Sequence, residues 1–372
     1  MRRALKIGID GRLLDIRPRG IGRYIWELCK ALDVVLSRAE FYVYSRDPTG
    51  LARISSRWYE RVEQGFARKL PKSLWAVTRP GFMARRDGVD VFWGGTGLLP
   101  LIGLSARSVL SVHDLVHKVM PEVMSRRGRL AMSLFFERSL MQADTILTNS
   151  QGTATRLREL TGYEASGVVR PGVSSMFTRQ SEAKVTELLG RHLLCRPYVL
   201  GVATLEPRKG LDLLVRAFCS LQSRRELSQY TLVVAGGRGW RDRGLSRLMN
   251  STSPRINWLG FVEDEELVTL YSGCDAFVYP SKYEGFGIPV LEARACGARV
   301  VTSDSPELRE AGGTDALYVA PTEAGISQGL IIALNSNRSS RIDRRKQSWI
   351  ASSITLARAL AGEDLSEIAL AE

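Results

Sequence analysis

The chain has little cysteine and no long apolar run. Its five cysteines, among 372 residues, include no Cys-x-x-Cys pair and form no metal-like cluster in the sequence with the three histidines. This pattern argues against a disulfide framework and favours a reducing compartment. No apolar stretch approaches the roughly 20 residues that span a bilayer, and residues 1–10 lack the apolar run of a signal peptide. We therefore expect a cytoplasmic protein, soluble or peripheral on the inner face of a membrane.

The composition excludes disordered, collagenous and fibrous proteins, because 44% of the residues are hydrophobic and 24% are charged. The length exceeds the roughly 250–300 residues at which single cores stop growing. We therefore predict an N-terminal domain over residues 1–180 and a second domain over residues 181–340. A helical segment at 341–372 is expected to pack back on the N-terminal domain.

Lysine is scarce and positive charge is unevenly spread. Only nine of the 52 basic residues are lysines, and the net charge is +13. Residues 1–180 hold 29 basic and 16 acidic residues, whereas residues 181–372 hold 23 of each. A one-sided basic half points to nucleic acid, a phospholipid surface or a phosphorylated substrate. The abundance of arginine fits bidentate phosphate contacts, and a compositional bias of the genome explains it equally well.

Two basic stretches contain large apolar residues, at 68–86 and 126–136. Such mixtures suit an anionic membrane interface. A solvated helix face above a core stripe is the alternative for either stretch.

Short apolar strands alternate with helical patterns throughout the chain. The predicted strands are 6–10, 41–44, 89–93, 107–112 and 145–148, then 198–202, 230–235, 256–259, 275–279 and 299–302; predicted helices include 210–221, 263–273, 288–296 and 341–361. This alternation predicts an α/β fold of two tandem Rossmann-like, doubly wound parallel-sheet domains, with a linker around 174–196. Ligands of such sheets bind outside the carboxyl ends of the strands, and an interdomain cleft is the natural site.

Residues 279–297 combine a strand end, a glycine-rich turn and a helix start with a proline in its first turn. The unpaired N–H groups and positive dipole end of such a helix form a phosphate site. Gly285 and Gly287 allow close backbone approach. Glu284 precedes the helix and Glu292 lies about one turn inside it, so we expect both carboxylates to line one pocket.

With its two glutamates separated by seven residues, this segment resembles the signature of family-4 retaining glycosyltransferases of the GT-B fold. Further resemblances follow in order along most of the chain. They are Gly-Ile-Gly-Arg-Tyr at 20–24, Val-His-Asp at 112–114, Arg-Pro-Gly-Val at 170–173, Gly-Val-Ala-Thr-Leu-Glu-Pro-Arg-Lys-Gly at 201–210 and Trp-Leu-Gly-Phe-Val at 258–262.

The resemblance implies catalytic roles for three residues. Lys209 would neutralise charge on the leaving diphosphate, and His113 would contact the transferred sugar. Glu284, with the N–H groups of residues 285–287, would hold the sugar's hydroxyls. Glu284 acting as a nucleophile is the alternative to same-face attack, in which the leaving phosphate takes the acceptor proton.

The resemblance also implies a set of binding residues. Glu292 would bind the ribose, and Gly20 and Gly22 would let the N-terminal loop approach the diphosphate or the acceptor. The remaining donor-binding residues implied are Gly285, Phe286, Gly287, Ile288, Thr204, Arg208 and Val262.

One position departs from the family pattern. Many members carry an arginine five residues before the lysine, where this chain has Thr204. Arg208 could supply that charge, although adjacent loop residues often point apart.

The string Thr-Leu-Glu-Pro-Arg-Lys occurs in branches that transfer mannose or rhamnose during bacterial surface-polysaccharide synthesis. GDP-mannose is therefore the favoured donor. The resemblance implies no cofactor and no obligatory metal, and the chain has no Asp-x-Asp motif.

These observations predict a retaining hexosyltransferase acting on a saccharide or polyprenyl-diphosphate-linked acceptor in polysaccharide synthesis. The basic N-terminal half would meet an anionic membrane surface. A nucleotide-sugar epimerase of the same architecture is one alternative. A nucleic-acid-binding protein is another, although the neutral second half and the lack of a recognisable module argue against nucleic acid as a partner.

Overall fold

The structure is a computed structural model that describes residues 3–14, 20–239, 244, 248, 253–336 and 342–363. The chain separates into two compact units, Met1–Gly172 with Gln347–Glu372, and Val173–Lys346. The first crossing precedes the predicted boundary at 180 because Val173 and Phe177 are buried in the core of the second unit. The return at 346/347 follows the predicted boundary at 340.

The first unit contains a seven-stranded, wholly parallel sheet in the order β3-β2-β1-β4-β5-β6-β7. The strands are β1 (Lys6–Asp10), β2 (Glu40–Ser45), β3 (Trp58–Val62), β4 (Val91–Gly94), β5 (Arg107–Val112), β6 (Thr145–Thr148) and β7 (Gly167–Val168). The α-helices are Ile21–Val35, Lys72–Asp87, Val116–Val119, Arg126–Gln142, Gln151–Thr161 and Trp349–Ala361, with 3₁₀ turns at Leu51–Arg53, Gly65–Lys69 and Pro121–Val123.

The second unit contains a six-stranded parallel sheet in the order β10-β9-β8-β11-β12-β13. Its strands are β8 (Tyr198–Val202), β9 (Thr231–Ala235), β10 (Ile256–Gly260), β11 (Ala276–Tyr279), β12 (Val300–Ser303) and β13 (Leu317–Val319). Its described α-helices are Glu182–Arg191, Leu211–Ser223, Asp264–Gly273, Ile288–Ala295, Pro306–Gly312 and Glu323–Leu334, with a 3₁₀ turn at Pro207–Lys209.

The predicted doubly wound fold is confirmed. Central strands are apolar on both faces because helices cover both sides of a parallel sheet, and β11 is fully buried. The sequence analysis did not predict three of the strands: β3 has a single buried residue, β7 has only two residues, and β13 is only half-buried.

Two helical segments differ from expectation. The predicted linker at 174–196 contains the helix Glu182–Arg191, whose Val185, Leu188 and Leu189 are buried in the second unit. The last helix begins at Trp349 instead of near residue 341, because the Ser348 hydroxyl caps it by accepting a hydrogen bond from the N–H of Ala351.

The C-terminal helix Trp349–Ala361 belongs to the first unit, where it packs along the helix Ile21–Val35. Trp349 meets Tyr24 edge to face, with ring centroids 5.8 Å apart. Gly172 lies against the backbone of Ser348 and Trp349, where a Cβ atom would overlap main-chain atoms. The chain's exit from this unit and its return are therefore in direct contact.

The charge is less one-sided between the units than between the halves of the sequence. The first unit has 29 basic and 20 acidic residues, a net +9, and the second has 23 and 19, a net +4. The difference arises because the acidic C-terminal segment belongs to the first unit. Among the described helices, none is long and apolar enough to cross a bilayer.

Each sheet reverses its strand order once, between β1 and β4 in the first unit and between β8 and β11 in the second. Connections on either side of such a reversal leave in opposite directions and open a crevice at the carboxyl ends of the two strands. We call each reversal a switch point and expect ligand-binding side chains at both.

Candidate active site

The switch point of the second unit brings together the loops that follow β8 and β11. The two strands pair in parallel, so both end at the same edge of the sheet. The Arg208 carbonyl accepts a hydrogen bond from the N–H of Lys282 at 2.8 Å, and the hydroxyl oxygen of Ser281 lies 3.1 Å from the same carbonyl oxygen. Gly210 has φ +66°, and a Cβ atom there would overlap the carbonyl oxygen of Pro280. Only glycine allows the loops to approach this closely.

Lys209 and Glu284 meet in this contact. The Lys209 Nζ lies 2.6 Å from Glu284 Oε1 and 3.1 Å from the hydroxyl of Tyr279. Tyr279 and Ser281 each donate a hydroxyl hydrogen bond of 2.7 Å to the same carboxylate oxygen. Glu284 is 8% exposed, so these bonds act in a poorly solvated site. Glu284 Oε1 thus accepts three donors.

Arg208 reaches the other oxygen of the same carboxylate. Its Nη1 lies 3.4 Å from Glu284 Oε2, and its Nε lies 3.0 Å from Glu206 Oε2. Adjacent loop residues often point apart, but here the 3₁₀ turn Pro207–Lys209 directs both Arg208 and Lys209 to Glu284. The sequence departure at position 204 is therefore accompanied by a second cation from position 208.

The carboxylate of Glu284 is ionised at neutral pH. Burial alone would raise the pKa of Glu284, but Lys209, Arg208 and the hydrogen bonds outweigh it and lower that pKa to about 2. Burial is also the largest influence on Lys209, whose pKa it lowers, while Glu284 opposes the change. Burial and the neighbouring Glu284 raise the pKa of Tyr279 well above its ordinary value, so its phenol stays a hydrogen-bond donor.

The glycine turn leads from this cluster into the helix Ile288–Ala295. Gly287 adopts φ +107° at the helix start, and Phe286 and Gly285 are buried before it. Glu292 lies inside the helix and is 3% exposed, which excludes a solvent-facing helical glutamate. Ile288 is half-buried in the first turn.

Two predicted donor-binding residues are not drawn into the cluster. Thr204 follows β8 and is exposed, and its side chain makes no hydrogen bond within the described part of the chain. Val262 follows β10 and is buried in the core of the second unit. Both lie after strand ends of the same sheet, and within the described part of the chain neither forms a hydrogen bond with Lys209 or Glu284.

His113 lies in the first unit, directly after β5, and is 6% exposed. Its Nε2 lies 2.6 Å from the Gly95 carbonyl oxygen, which can only accept, so Nε2 carries the proton. Burial lowers the pKa of His113 despite this hydrogen bond and Asp114. The ring of Tyr24 meets the imidazole edge to face at 5.0 Å. His113 is therefore a neutral imidazole with Nδ1 as its only acceptor.

Gly20 and Gly22 also lie in the first unit, at the start of the helix Ile21–Val35. Gly20 has φ +53° and precedes the helix, and Gly22 is buried in its first turn. That first turn contains no acidic residue. The positive end of the helix dipole is therefore not neutralised by its own side chains.

The sequence analysis missed Tyr279 and Ser281, the two hydroxyl donors to Glu284. Both flank the end of β11, five and three residues before the glutamate. Polar residues at the carboxyl end of a switch-point strand were the available signal. No group of three or more histidine, cysteine, aspartate or glutamate residues suited to a metal ion occurs in the described ranges.

Two protein-family models together match most of the chain. The model for glycosyl transferases group 1 matches residues 194–348, and the model for glycosyltransferase family 4 matches residues 18–175. An O-antigen chain mannosyltransferase B from Escherichia coli is 31% identical over 320 residues, covering 82% of this chain and 84% of that protein. The chain belongs to glycosyltransferase family 4.

Solved structures share the fold of this family-4 glycosyltransferase. Sucrose-phosphate synthase from Thermosynechococcus elongatus superimposes with a TM-score of 0.74 at 18% identity, covering 96% of this chain and 98% of that one. Anabaena HepE in complex with UDP-glucose gives 0.70 at 17% identity, covering 96% and 100%. The predicted GT-B fold is confirmed, and the relatives support a glycosyltransferase of glycan synthesis.

Proposed function

We propose that this glycosyltransferase moves mannose from GDP-mannose, with retention of configuration, to a saccharide or polyprenyl-diphosphate-linked saccharide. The observation that carries the proposal is the convergence of Lys209 and Arg208 on Glu284 at a switch point, beside a helix start. The likeness to an E. coli O-antigen mannosyltransferase supports the choice of mannose. We propose GDP as the nucleotide that carries this mannose.

The donor diphosphate would bind where Lys209 meets the start of the helix Ile288–Ala295. An ammonium has three N–H donors, and Lys209 directs two of them to Glu284 and Tyr279. The third would reach a phosphate oxygen, with the amides of Gly287 and Ile288 on the other side. Arg208 would add the second positive charge. Stabilising charge on a leaving group in this way is usually the largest catalytic contribution.

Glu284 would hold the mannosyl group as a hydrogen-bond acceptor. Its Oε1 already accepts three bonds, whereas the one hydrogen bond of Oε2 with a described residue is the long contact with Arg208 at 3.4 Å. A carboxylate with a pKa of about 2 is a weak base and a weak nucleophile. These properties favour same-face attack, in which the leaving phosphate takes the acceptor proton, over a covalent intermediate on Glu284.

The remaining residues would complete the donor site. Glu292 would bind the ribose hydroxyls, and the backbone of Gly285 and Phe286 would face the sugar. Thr204 and Val262, after the ends of β8 and β10, would border the nucleotide. In the first unit, His113 would accept a sugar hydroxyl through Nδ1, and the loop at Gly20 and Gly22 would approach the diphosphate or the acceptor.

An anionic membrane surface is proposed as a further partner of the first unit. The helix Arg126–Gln142 exposes Leu130, Leu134 and Met141 on one face, with exposed fractions of 60%, 49% and 72%. Arg127 and Arg138 are exposed beside this stripe. Apolar side chains flanked by arginines match the headgroup region of an anionic bilayer, where each cation contributes about 1 kcal/mol.

The donor is tested with purified protein, GDP-mannose, UDP-glucose and dTDP-rhamnose, and methyl α-mannoside or methyl α-mannobioside as acceptors. We expect transfer from GDP-mannose only, with an α-linked product by NMR. Lys209→Ala should reduce kcat by about 10²–10³-fold. Lys282→Ala is the matched control, because Lys282 lies in the adjoining loop but is exposed. Equal rates for the two variants would contradict the assigned site.

The membrane partner is tested by flotation with phosphatidylcholine vesicles, with and without phosphatidylglycerol, at low and high salt. Retention should require the anionic lipid and low salt. Replacing Leu130, Leu134 and Met141 with serine should abolish it. If vesicles of phosphatidylcholine without phosphatidylglycerol also retained the protein, an anionic surface would not be the partner.

A further inference from the structure

The first unit has its own switch point, between β1 and β4, and none of the family motifs described above assigns a role to its side chains. Asp10 ends β1, Arg12 follows two residues later, and Thr96 lies in the loop after β4. This is the position where doubly wound sheets bind ligands. The three residues form one contiguous polar cluster.

Arg12 is almost wholly buried, with 8% of its side chain exposed. Its Nε lies 2.9 Å from the Thr96 hydroxyl and 3.3 Å from Asp10 Oδ2, and its Nη2 lies 3.1 Å from the Thr96 carbonyl oxygen. Nη2 also contacts the Thr96 hydroxyl. Two of the three guanidinium nitrogens are thus held in place.

Asp10 is committed to the same cluster. Its Oδ1 accepts the backbone N–H of Arg12 at 3.1 Å, and its Oδ2 accepts the Thr96 hydroxyl. The third guanidinium nitrogen of Arg12, Nη1, makes no hydrogen bond with any residue that the structure describes. A guanidinium whose plane is fixed by two partners presents its remaining N–H groups in a defined direction.

The cluster adjoins the residue that the family resemblance places at the sugar. Thr96 follows Gly95, whose carbonyl oxygen lies 2.6 Å from His113 Nε2. In this loop, Thr96 therefore binds Arg12, and the preceding residue, Gly95, binds His113.

The charge of the cluster selects the ligand. Asp10 neutralises Arg12, so Nη1 presents a strong donor without net positive charge. Such a donor suits a neutral hydroxyl oxygen more than a phosphate, which an unpaired cation would attract more strongly. We propose that Arg12, held by Asp10 and Thr96, binds a hydroxyl oxygen of the acceptor saccharide. This inference rests on the proposed transferase function and assigns the acceptor's position within it.

The test compares Michaelis constants for acceptor and donor in the full-length chain, with GDP-mannose and methyl α-mannobioside. Arg12→Gln should raise the KM for the acceptor by about 10- to 100-fold, because the variant loses the strong hydrogen bond from the guanidinium, and should shift the donor KM far less. Arg12→Lys guards against misfolding, because it keeps a cation opposite Asp10. The ammonium of a lysine cannot bind Asp10 and Thr96 as the guanidinium does and also donate a hydrogen bond to the acceptor. The acceptor KM of the Arg12→Lys variant should therefore also rise.

Arg57→Gln is the matched control. Arg57 also pairs with an aspartate, with its Nη2 2.5 Å from Asp33 Oδ1, but it lies at the amino end of the sheet, just before β3. This variant should lose stability in urea unfolding and keep both KM values. A mannosyl acceptor carrying a lipid diphosphate is measured in parallel. A defect confined to that substrate would show phosphate recognition and overturn the hydroxyl assignment.

The outcomes separate this inference from the proposed function. If the wild-type chain transfers mannose and the Arg12 variants keep the acceptor KM, the inference is wrong and the transferase function stands. Equal rises in donor and acceptor KM would indicate a general structural role and also overturn it. If the wild-type chain transfers no sugar to any saccharide, the proposed function fails and the inference fails with it.

Discussion

Lys209 Nζ lies 2.6 Å from Glu284 Oε1, although 75 positions separate the two residues in the sequence. The ion pair joins the loops after adjacent strands β8 and β11. It concentrates positive charge from Lys209 beside a carboxylate kept ionised by its neighbours. A diphosphate needs a cation as its partner and a sugar hydroxyl needs a hydrogen-bond acceptor, and this cluster would offer both.

Glu284→Gln should reduce kcat by about 10²–10³-fold, because a neutral amide cannot match the carboxylate as an acceptor. It should also change the pH dependence of stability. The folded-state pKa of about 2 lies below the ordinary glutamate value of 4.5, so the carboxylate's stabilisation is fully present above about pH 4.5 and is lost as the pH falls toward 2. In urea unfolding, the free energy of unfolding of the wild-type protein should exceed that of the variant, and this difference should decrease only in that acidic range.

Glu137→Gln is the control for this measurement. Glu137 also pairs with a lysine, Lys118, at 2.7 Å, but 62% of its side chain is exposed. Exposed pairs are worth at most about 1 kcal/mol, so its loss should leave activity intact. A Glu284→Gln protein with wild-type turnover would contradict the proposed role of the carboxylate.

Gly210→Ala should destabilise the second unit by about 1–3 kcal/mol and reduce activity with it, because φ is +66° and a Cβ atom would overlap the Pro280 carbonyl oxygen. Gly190→Ala is the comparison. Gly190 lies in the helix Glu182–Arg191 with open space around it, so alanine should stabilise by about 0.4–1 kcal/mol. Opposite shifts in the midpoint of urea unfolding are expected, and equal shifts would contradict the packing of the two loops.

His113 should make the protein less stable in mild acid. Burial lowers its folded-state pKa below 6.5, so the unfolded chain binds more protons and stability falls as the pH drops below about 6.5. His113→Gln removes this titration, and its unfolding free energy should decline less between about pH 7.5 and 5.5. Burial also lowers the pKa of His117, but this residue is present in both proteins, so its contribution to the pH dependence is the same in each. Identical slopes would show that His113 does not stay neutral.

Metal removal should leave transfer unchanged. In the proposed site, Lys209, Arg208 and the start of the helix Ile288–Ala295 supply the positive charge that Mg²⁺ supplies in many phosphate-transferring enzymes. Initial rates measured with excess EDTA should equal those with added Mg²⁺ or Mn²⁺. A loss of activity that either ion restores would show that the metal-free prediction is wrong.

Residues local in sequence could be assigned to the site without the structure. The turn from Glu284 to Gly287 follows a buried strand and precedes a proline-started helix, so its position at a sheet edge follows from local pattern alone. Arg208 could not be assigned in this way. Whether it points with Lys209 or away depends on a 3₁₀ turn that is held against another loop by Gly210 and Ser281.

The sequence by itself determined two doubly wound sheets and the order of their central strands along the chain, because apolar runs and helical spacing are local properties. It also determined that Lys209 and Glu284 follow strands. Only the tertiary structure decided that β8 and β11 are neighbours, that Tyr279 and Ser281 donate to Glu284, and that Arg12 is held by Thr96. Those contacts join distant positions, and only chain packing determines which strand ends meet.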